Sequence, residues 1–255
     1  MIQNEIQAIY VMWLRQLKRF IRFKSRLVVM IVQPLFFLFI FGTGFGGAQF
    51  AGLGDISFIH YISPGIITMA ILFSSMFTGI SVLWDKQFGF LQEVLVAPIS
   101  RLSIIIGRTL GGATIALIQG FIILGIAVAL GTPIATGISG LLLSFVFMLL
   151  IAITAVGFGL ILASRMNDFQ SFPLIMNLVI MPLLFLSSAI FPVTENQTLQ
   201  MIASFNPLFY MVDGLRGSLV GSTHVHSPLF NLLIVFCFCI IMMGLGSYSF
   251  KKSEL

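Results

Sequence analysis

The stretch ISGLLLSFVFMLLIAITAVGFGLILA, from Ile138 to Ala163, is uncharged along its whole length. A helix needs about 20 apolar residues to cross the roughly 30 Å of hydrocarbon in a bilayer, and this stretch exceeds that length. Its apolar residues form a solid run instead of alternating with polar ones, which favours a helix over a strand of a membrane barrel. The stretch therefore predicts a transmembrane helix.

Five more apolar stretches of comparable length occur in the chain, so the sequence predicts six transmembrane helices. The composition agrees, because 58% of the 255 residues are hydrophobic and only 8% are charged, whereas soluble domains carry about 25% charged residues. Lipid is the simplest solvent for so apolar a surface. We predict an all-α membrane protein whose residues 27–250 form one transmembrane domain. The further spans are Leu27–Gly46, Tyr61–Leu83, Leu102–Leu130, Phe172–Phe191 and Leu229–Phe250.

The positions of the basic residues predict the orientation. If six spans alternate, all but one of the 13 Lys and Arg residues fall on the same side, and the exception is Arg216. Positively charged loops stay in the cytoplasm, so both termini are expected there. The net charge of +5 lies in the N-terminal segment and in short gaps between apolar runs. That distribution fits the anionic inner leaflet of the cytoplasmic membrane, and no nucleic acid partner is expected.

Residues 1–26 predict an amphipathic helix on the cytoplasmic surface. At about 100° per residue, its apolar residues fall in one arc and its basic residues in another. A basic helix with Trp13 on its apolar face is typical of helices that lie along a bilayer. Two interpretations stay open: anchoring by positive charge alone, or a surface helix that also contacts a cytoplasmic partner. No cleavable signal pattern precedes the first span, so we expect that span to remain as an anchor. The apolar arc holds Ile2, Ile6, Ile9, Trp13, Leu17, Phe20 and Ile21, and the basic arc holds Arg15, Lys18, Arg19, Arg22 and Arg26.

The gap between the second and third spans predicts a short cytoplasmic helix. Proline disfavours helix in the residue before it, so the helix should end near Ala97-Pro98. Its apolar residues share one face by their spacing. An exposed apolar face needs a surface to cover it, either the helix bundle itself or a partner protein. The residues on this face are Phe90, Leu91, Val94 and Leu95.

Residues 192–228 form the longest gap between spans. Their middle is apolar but too short to cross a bilayer. A pair of short re-entrant helices that dip into the outer leaflet fits this length.

No site for chemistry is evident from the sequence. The nearest match to a phosphate-binding loop, Gly246–Ser253, has Lys251 where a glycine is required. The three histidines do not have metal-binding spacing. The predicted spans contain almost no ionisable residues, with Arg108 near one end of a span as the exception, whereas ion-coupled transporters bury such residues. We expect no cofactor in this chain, and active transport would need an external source of energy.

Small and hydroxyl-bearing residues are frequent within the second and third spans. They suit close helix packing, and lining of a substrate path stays open as the alternative. The set comprises Thr68, Ser74, Ser75, Thr78, Ser81, Gly107 and Gly111.

Four features, in this order along the chain, resemble the ABC-2 type exporter permeases, which are membrane subunits for the export of drugs, polysaccharides or lipids. The first is the amphipathic helix before the first span. The second, Tyr61-Ile62-Ser63-Pro64-Gly65-Ile66, is similar to a family motif that opens the second span. The third is the stretch from Glu93 to Pro98, and the fourth is Asn206-Pro207 followed by Asp213 and Arg216. The resemblance covers nearly the whole chain, although Lys86 stands where the family often has an arginine.

The resemblance implies a division of labour between subunits. A separate cytoplasmic ABC ATPase would bind ATP and Mg²⁺, and two permeases, identical or homologous, would form the pathway at their interface. The cargo would be amphipathic, drug-like, lipid or saccharide. A passive channel or facilitator and a membrane scaffold are the alternatives. Expected ATPase-coupling residues are Phe90, Leu91, Glu93, Val94, Leu95, Ala97 and Pro98; interface-helix residues are Arg15, Lys18, Arg19 and Arg22; pathway or gating residues are Pro64, Gly65, Asn206, Pro207, Asp213 and Arg216.

Overall fold

A computed structural model describes residues 2–45, 56–89, 99–166, 168–193, 196–221 and 224–252. These residues form nine helices and no strands, so the prediction of an all-α fold is confirmed for them. The predicted coupling segment, residues 90–98, lies outside the described residues. The helices are α1 Ile2–Arg22, α2 Lys24–Gly44, α3 Phe58–Gln87, α4 Arg101–Ala129, α5 Gly137–Arg165, α6 Ser171–Phe185, α7 Gln197–Ser204, α8 Pro207–Leu219 and α9 Pro228–Lys252.

Four described helices are long and apolar enough to cross a membrane: α3, α4, α5 and α9. Two shorter apolar helices, Val28–Gly44 within α2 and Ser171–Phe185, stand where the sequence predicts the first and fifth spans. Contacts show that α2, α3, α4, α5, α6 and α9 alternate in direction. For example, the ring of Phe45 after α2 contacts Phe58 at the start of α3, and Arg101 at the start of α4 bonds to Lys251 at the end of α9.

The fifth predicted span ends earlier than the sequence indicates. The helix stops at Phe185 and not at Phe191, because a turn follows in which Ser188 has a positive φ of 61°. Pro182 lies in the last turn of this helix, where its carbonyl oxygen accepts a hydrogen bond from the amide of Leu186. The left-handed conformation at Ser188 is uncommon for a residue with a side chain, so neighbouring groups must hold it in place.

The buried centre of the bundle is α3, in which 83% of the most apolar 18-residue stretch is buried. It packs against α4, α5 and α2. A Cβ atom on Gly79 would lie 2.5 Å from the carbonyl oxygen of Gly159. The backbones of α3 and α5 are therefore in direct contact at this point. Such close crossings are typical of small residues in membrane helices.

The N-terminal helix α1 runs beside the first half of α4 and in the same direction. A Cβ atom on Gly107 would lie 2.7 Å from Cβ of Met12, and one on Gly111 would lie 2.7 Å from Cβ of Gln16. The two glycines of the predicted packing motif therefore admit α1. Within the predicted apolar arc, Phe20 is buried, whereas Ile6 and Ile21 are exposed.

A break at Phe23 separates α1 from α2, slightly before the predicted boundary at residue 26. The chain after α6 contains the short helices α7 and α8, where the sequence predicts two short helices. Most of α8 is buried against the bundle. We call the end of the bundle that holds Asp85 the basic end, and the end that holds Arg216 the opposite end.

Candidate functional site

The basic end is organised around Asp85, which lies in the last turn of α3 and is 5% exposed. Its carboxylate accepts two hydrogen bonds from Arg15, at 2.7 and 3.3 Å. A third comes from Arg108 at 2.8 Å, and a nitrogen of Arg19 lies 3.6 Å away. One carboxylate thus joins side chains from α1, α3 and α4.

Arginines outnumber carboxylates among the described side chains of this cluster. Among the described residues, three guanidinium groups surround this one carboxylate. Arg108 is fully buried, and a buried cation requires an anionic partner to offset its loss of hydration. The guanidinium of Arg19 also stands 5.1 Å from the centre of the Trp84 ring, a favourable cation–π geometry.

A second polar contact, made of hydrogen bonds to a carboxylate, links α1 to the start of α4. The Glu5 carboxylate accepts hydrogen bonds from the Ser100 amide at 3.0 and 3.1 Å and from the Ser100 hydroxyl at 2.8 Å. Ser100 is the N-cap of α4, because its hydroxyl accepts from the amide of Ser103. Hydrogen bonding from Ser103, and then from Ser100, holds the pKa of Glu5 below its ordinary value.

The four predicted basic residues of α1 divide into two pairs. Arg15 and Arg19 lie close to Asp85 of the same chain, whereas Lys18 and Arg22 are exposed on the surface of α1. All four border an open groove of about 520 Å³ whose remaining walls are apolar. The predicted coupling residues Phe90, Leu91, Glu93, Val94, Leu95, Ala97 and Pro98 all fall outside the described residues.

Arg216 organises the opposite end. This arginine of α8 is 1% exposed, and it donates to the carbonyl oxygen of Ser188 at 2.6 Å and to that of Tyr61 at 3.3 Å. Its guanidinium lies 3.8 Å from the centre of the Tyr61 ring. The Tyr61 hydroxyl also bonds to the carbonyl and hydroxyl oxygens of Ser188. Tyr61 and Arg216 together hold the left-handed turn that ends α6.

Asp213 lies one turn before Arg216 on α8 but bonds to other groups. Its buried carboxylate accepts from the backbone amides of Val225 at 2.8 Å and His226 at 2.9 Å. The side-chain amide of Asn231 in α9 donates to it at 2.9 Å. Asp213 therefore fixes the loop that enters α9.

The other predicted gating residues lie at the same end. The side chain of Asn206 caps α8 by accepting from Leu208 at 3.0 Å, and it donates to the Leu183 carbonyl at 2.6 Å. Pro207 is the first residue of α8, where a proline costs no helix hydrogen bond. Pro64 is buried within α3, and a Cβ on Gly65 would clash with the carbonyl oxygen of Ala189.

A partly polar cavity lies between α2, α3, α4 and α6. Its volume is about 180 Å³. The amide of Gln119 donates to the Met30 carbonyl, while its Oε1 and the hydroxyl of Ser74 are buried with no hydrogen-bond partner among the described residues. The amides of Gln33 and Asn177 complete the polar part of the wall.

Sequence reasoning missed several of these residues. Asp85 belongs to the gap after the second predicted span, yet its partners Arg15 and Arg108 lie 70 and 23 residues away. Ser188 and Gln119 carry no motif. The one available signal was Arg108, because a cation within an apolar span implies a nearby carboxylate. Among the described residues no group of three His, Cys, Asp or Glu side chains could hold a metal.

Long apolar helices joined at both ends by buried polar networks define a multi-pass membrane domain. The model of the ABC-2 type transporter family matches residues 7–220. The chain therefore belongs to the ABC-2 type transporter family, as the sequence motifs predicted.

Several curated proteins resemble this chain along most of its length. The inner membrane transport permease YadH of Escherichia coli (strain K12) is 28% identical, over 94% of this chain and 96% of that protein. The transport permease ycf38 of Cyanophora paradoxa is 30% identical, over 77% of this chain and 70% of that protein. Nodulation protein J of Rhizobium leguminosarum bv. viciae is 26% identical, over 88% and 86% respectively.

Proposed function

We propose that this chain is the membrane-spanning permease subunit of an ATP-driven exporter in the cytoplasmic membrane. The observation that carries the proposal is the family match over residues 7–220, which is accompanied by relatives named transport permeases. ATP would be hydrolysed by a separate ABC ATPase subunit, which would also bind Mg²⁺. The name of the E. coli relative places that protein in the inner membrane, and we extend this location to the present chain.

Six helices cross the bilayer in this proposal, and the basic end faces the cytoplasm. The alternating directions of α2, α3, α4, α5, α6 and α9 support the span count. The concentration of arginines around Asp85 supports the orientation, since positive residues are retained on the cytoplasmic side. The short helices α7 and α8 then lie at the outer side, in a re-entrant position.

The ATPase would dock at the basic end, on the coupling segment and on the outward side of α1. Lys18 and Arg22 border the open groove there and are available to a partner or to anionic lipid. A second permease would pack on the outward sides of α2 and α6. These helices expose large apolar side chains, such as Phe36 at 61% and Leu178 at 75%, which lipid or a second copy must cover.

The cavity between α2, α3, α4 and α6 is the part of the chain best suited to contact cargo. Its walls combine methionine and phenylalanine side chains with the Gln119 Oε1 and the Ser74 hydroxyl, which have no hydrogen-bond partner in the described part of the chain. An amphipathic molecule could place a hydrogen-bond donor against these oxygens and its apolar body against the rings. The proposed cargo is therefore an amphipathic, drug-like, lipid or saccharide molecule.

Residues at the opposite end would control release. Arg216 ties α8 to the start of α3 and to the turn after α6, so these contacts would form a fixed frame beside the exit. Pro64, Gly65, Asn206, Pro207 and Asp213 surround the same contacts and keep their assignment as gating candidates.

Purification from native membranes tests the proposal. The tagged chain, extracted in mild detergent, should bring down a P-loop ATPase in near-stoichiometric amount. The complex should hydrolyse ATP, and the chain alone should not. Purification without any nucleotide-binding subunit, or cargo flux in liposomes that is independent of ATP, would favour the scaffold or the passive channel and contradict the proposal.

A further inference from the structure

The helix α1 contacts both helices that flank the coupling segment. Four polar side chains along α1 make these contacts. Glu5 bonds to Ser100 at the start of α4, and Arg15 bonds to Asp85 at the end of α3. Between and beside them, Trp13 donates to the hydroxyl of Thr114 in α4 at 3.1 Å, and Gln16 donates to the hydroxyl of Ser81 in α3 at 3.3 Å.

These contacts make α1 a brace between α3 and α4. Glu5 and Arg15 are ten residues apart, which is about 15 Å along a helix axis at 1.5 Å per residue. Because a continuous helix transmits displacement along its axis, the two contacts cannot move independently while both are intact. Close packing at Gly107 and Gly111 keeps the brace against α4.

The two ends of the brace differ in strength. The Arg15 contact reaches a carboxylate that is 5% exposed and also holds the buried Arg108. The Glu5 contact is exposed to solvent, where water and salt weaken ionic hydrogen bonds. The attachment to α3 is thus the permanent one, and the attachment to the start of α4 is the one that can be released.

We propose that Glu5 is a positioning residue, which fixes the first turn of α4 relative to the end of α3 and so sets the geometry of the coupling segment between them. The proposal rests on the proposed function, because it assumes that a partner ATPase acts at this end. It assigns to α1 a mechanical role beyond anchoring in the membrane. Release of the Glu5 contact frees only the first turn of α4 around Ser100. Asp85 keeps α1 attached to α3, and the packing at Gly107 keeps α1 against the rest of α4.

Hydrogen–deuterium exchange of the full chain in lipid nanodiscs tests the brace without any partner. In Glu5→Ala, peptides that contain Ser100 should exchange severalfold faster than in the wild type, because the Ser100 amide loses its acceptor. Glu5→Gln retains an acceptor oxygen and should restore most of the protection. Gln7→Ala, an exposed position on the same helix, is the matched control and should leave exchange unchanged. Equal exchange in wild type and Glu5→Ala would overturn the proposal.

ATP hydrolysis by the complex with its ATPase tests the positioning role. The rate should fall severalfold in Glu5→Ala, recover in Glu5→Gln and stay at the wild-type level in Gln7→Ala, while the ATPase still co-purifies. Fast exchange at Ser100 with an unchanged hydrolysis rate would also overturn the proposal. If no ATPase co-purifies with any variant, the proposed function fails, and the exchange experiment still decides whether the brace exists.

Discussion

The two ends of the bundle use charged residues in different ways. At the basic end, Asp85 pairs directly with Arg15 and Arg108, so ions from three helices meet in one cluster. At the opposite end, Asp213 and Arg216 lie one turn apart on α8, yet each bonds to backbone groups of other segments. One network joins helix to helix, and the other holds loops and turns.

This difference determines how much relative movement of the helices each end allows. The Asp85 cluster can stay intact while its helices shift slightly, because the attraction between charges depends only weakly on direction. Bonds to backbone amides and carbonyls fix a particular chain conformation, since both distance and angle are constrained. The basic end is therefore suited to movement, and the opposite end to a rigid frame.

Removal of the central carboxylate should have the largest effect. Asp85→Asn removes the carboxylate that pairs with the buried Arg108, and breaking a buried pair in this way costs about 3–5 kcal/mol. We expect a large loss of thermal stability in detergent, measured by the unfolding transition of the purified protein. The double variant Asp85→Leu with Arg108→Met removes both charges and should recover much of this loss. A melting temperature of Asp85→Asn equal to the wild type would contradict the assigned role of Asp85.

Loss of Arg216 should have an intermediate effect at the opposite end. Arg216→Met removes the donors to Ser188 and Tyr61, and hydrogen bonds from charged groups contribute about 1.5–3 kcal/mol. The Ser188 turn should loosen, which faster proteolysis or hydrogen exchange after α6 would report. Arg216→Lys retains the charge but lacks the planar fork of donors, so it should restore little. Full restoration by lysine would show that charge, and not the fixed geometry, matters at this end.

The packing of α1 should be next in sensitivity. In Gly107→Ala the new Cβ would lie 2.7 Å from Met12 and 2.8 Å from the Ile9 carbonyl oxygen, so α1 must shift, at a cost of about 1–3 kcal/mol. Cysteine cross-linking between α1 and α4 should become less efficient. Gly125→Ala in the same helix meets nothing within 4 Å and should stabilise by up to about 1 kcal/mol, because alanine favours helix. Equal behaviour of the two variants would refute the packing.

Much of the fold follows from the sequence, because long uncharged runs can only be buried or placed in lipid. The predicted end of α6 is wrong, since the apolar run continues past Phe185 and only tertiary contacts of Ser188 end the helix. The sequence predicts the N-terminal helix but not its packing partner. Helical periodicity shows that α1 has an apolar side, and it does not show that Gly107 and Gly111 of another helix receive it.

The residues of the candidate site can be predicted from the sequence at one end of the bundle but not at the other. The residues near Arg216 lie in short motifs that a sequence displays directly, so Pro64, Gly65, Asn206 and Asp213 can be found there. The Asp85 cluster depends on three helices that meet in space, and the spacing of its members along the chain carries no signal. Glu5 is missed for the same cause, since its partner Ser100 lies 95 residues away.

The smallest expected effect concerns the pH dependence of the Glu5 contact. Hydrogen bonds from Ser103 and Ser100 lower the pKa of Glu5 in the folded protein. The negative charge of Glu5 therefore contributes its full stabilisation above the pKa of the unfolded chain, and this ionic contribution is lost as pH falls through the lower, folded-state pKa. In a pH titration followed by NMR of the labelled carboxyl carbon, the titration midpoint of Glu5 should lie below the ordinary value for glutamate. The Ser103→Ala variant should raise this midpoint. Asp168, whose pKa is lowered by hydrogen bonds from Ser171 and Gln170, should not respond to that change. If Ser103→Ala leaves the titration midpoint of Glu5 unchanged, Glu5 does not contact the N-terminal cap of α4. The basic end would then lack the contact that can be released, and the contrast with the fixed opposite end would be weaker.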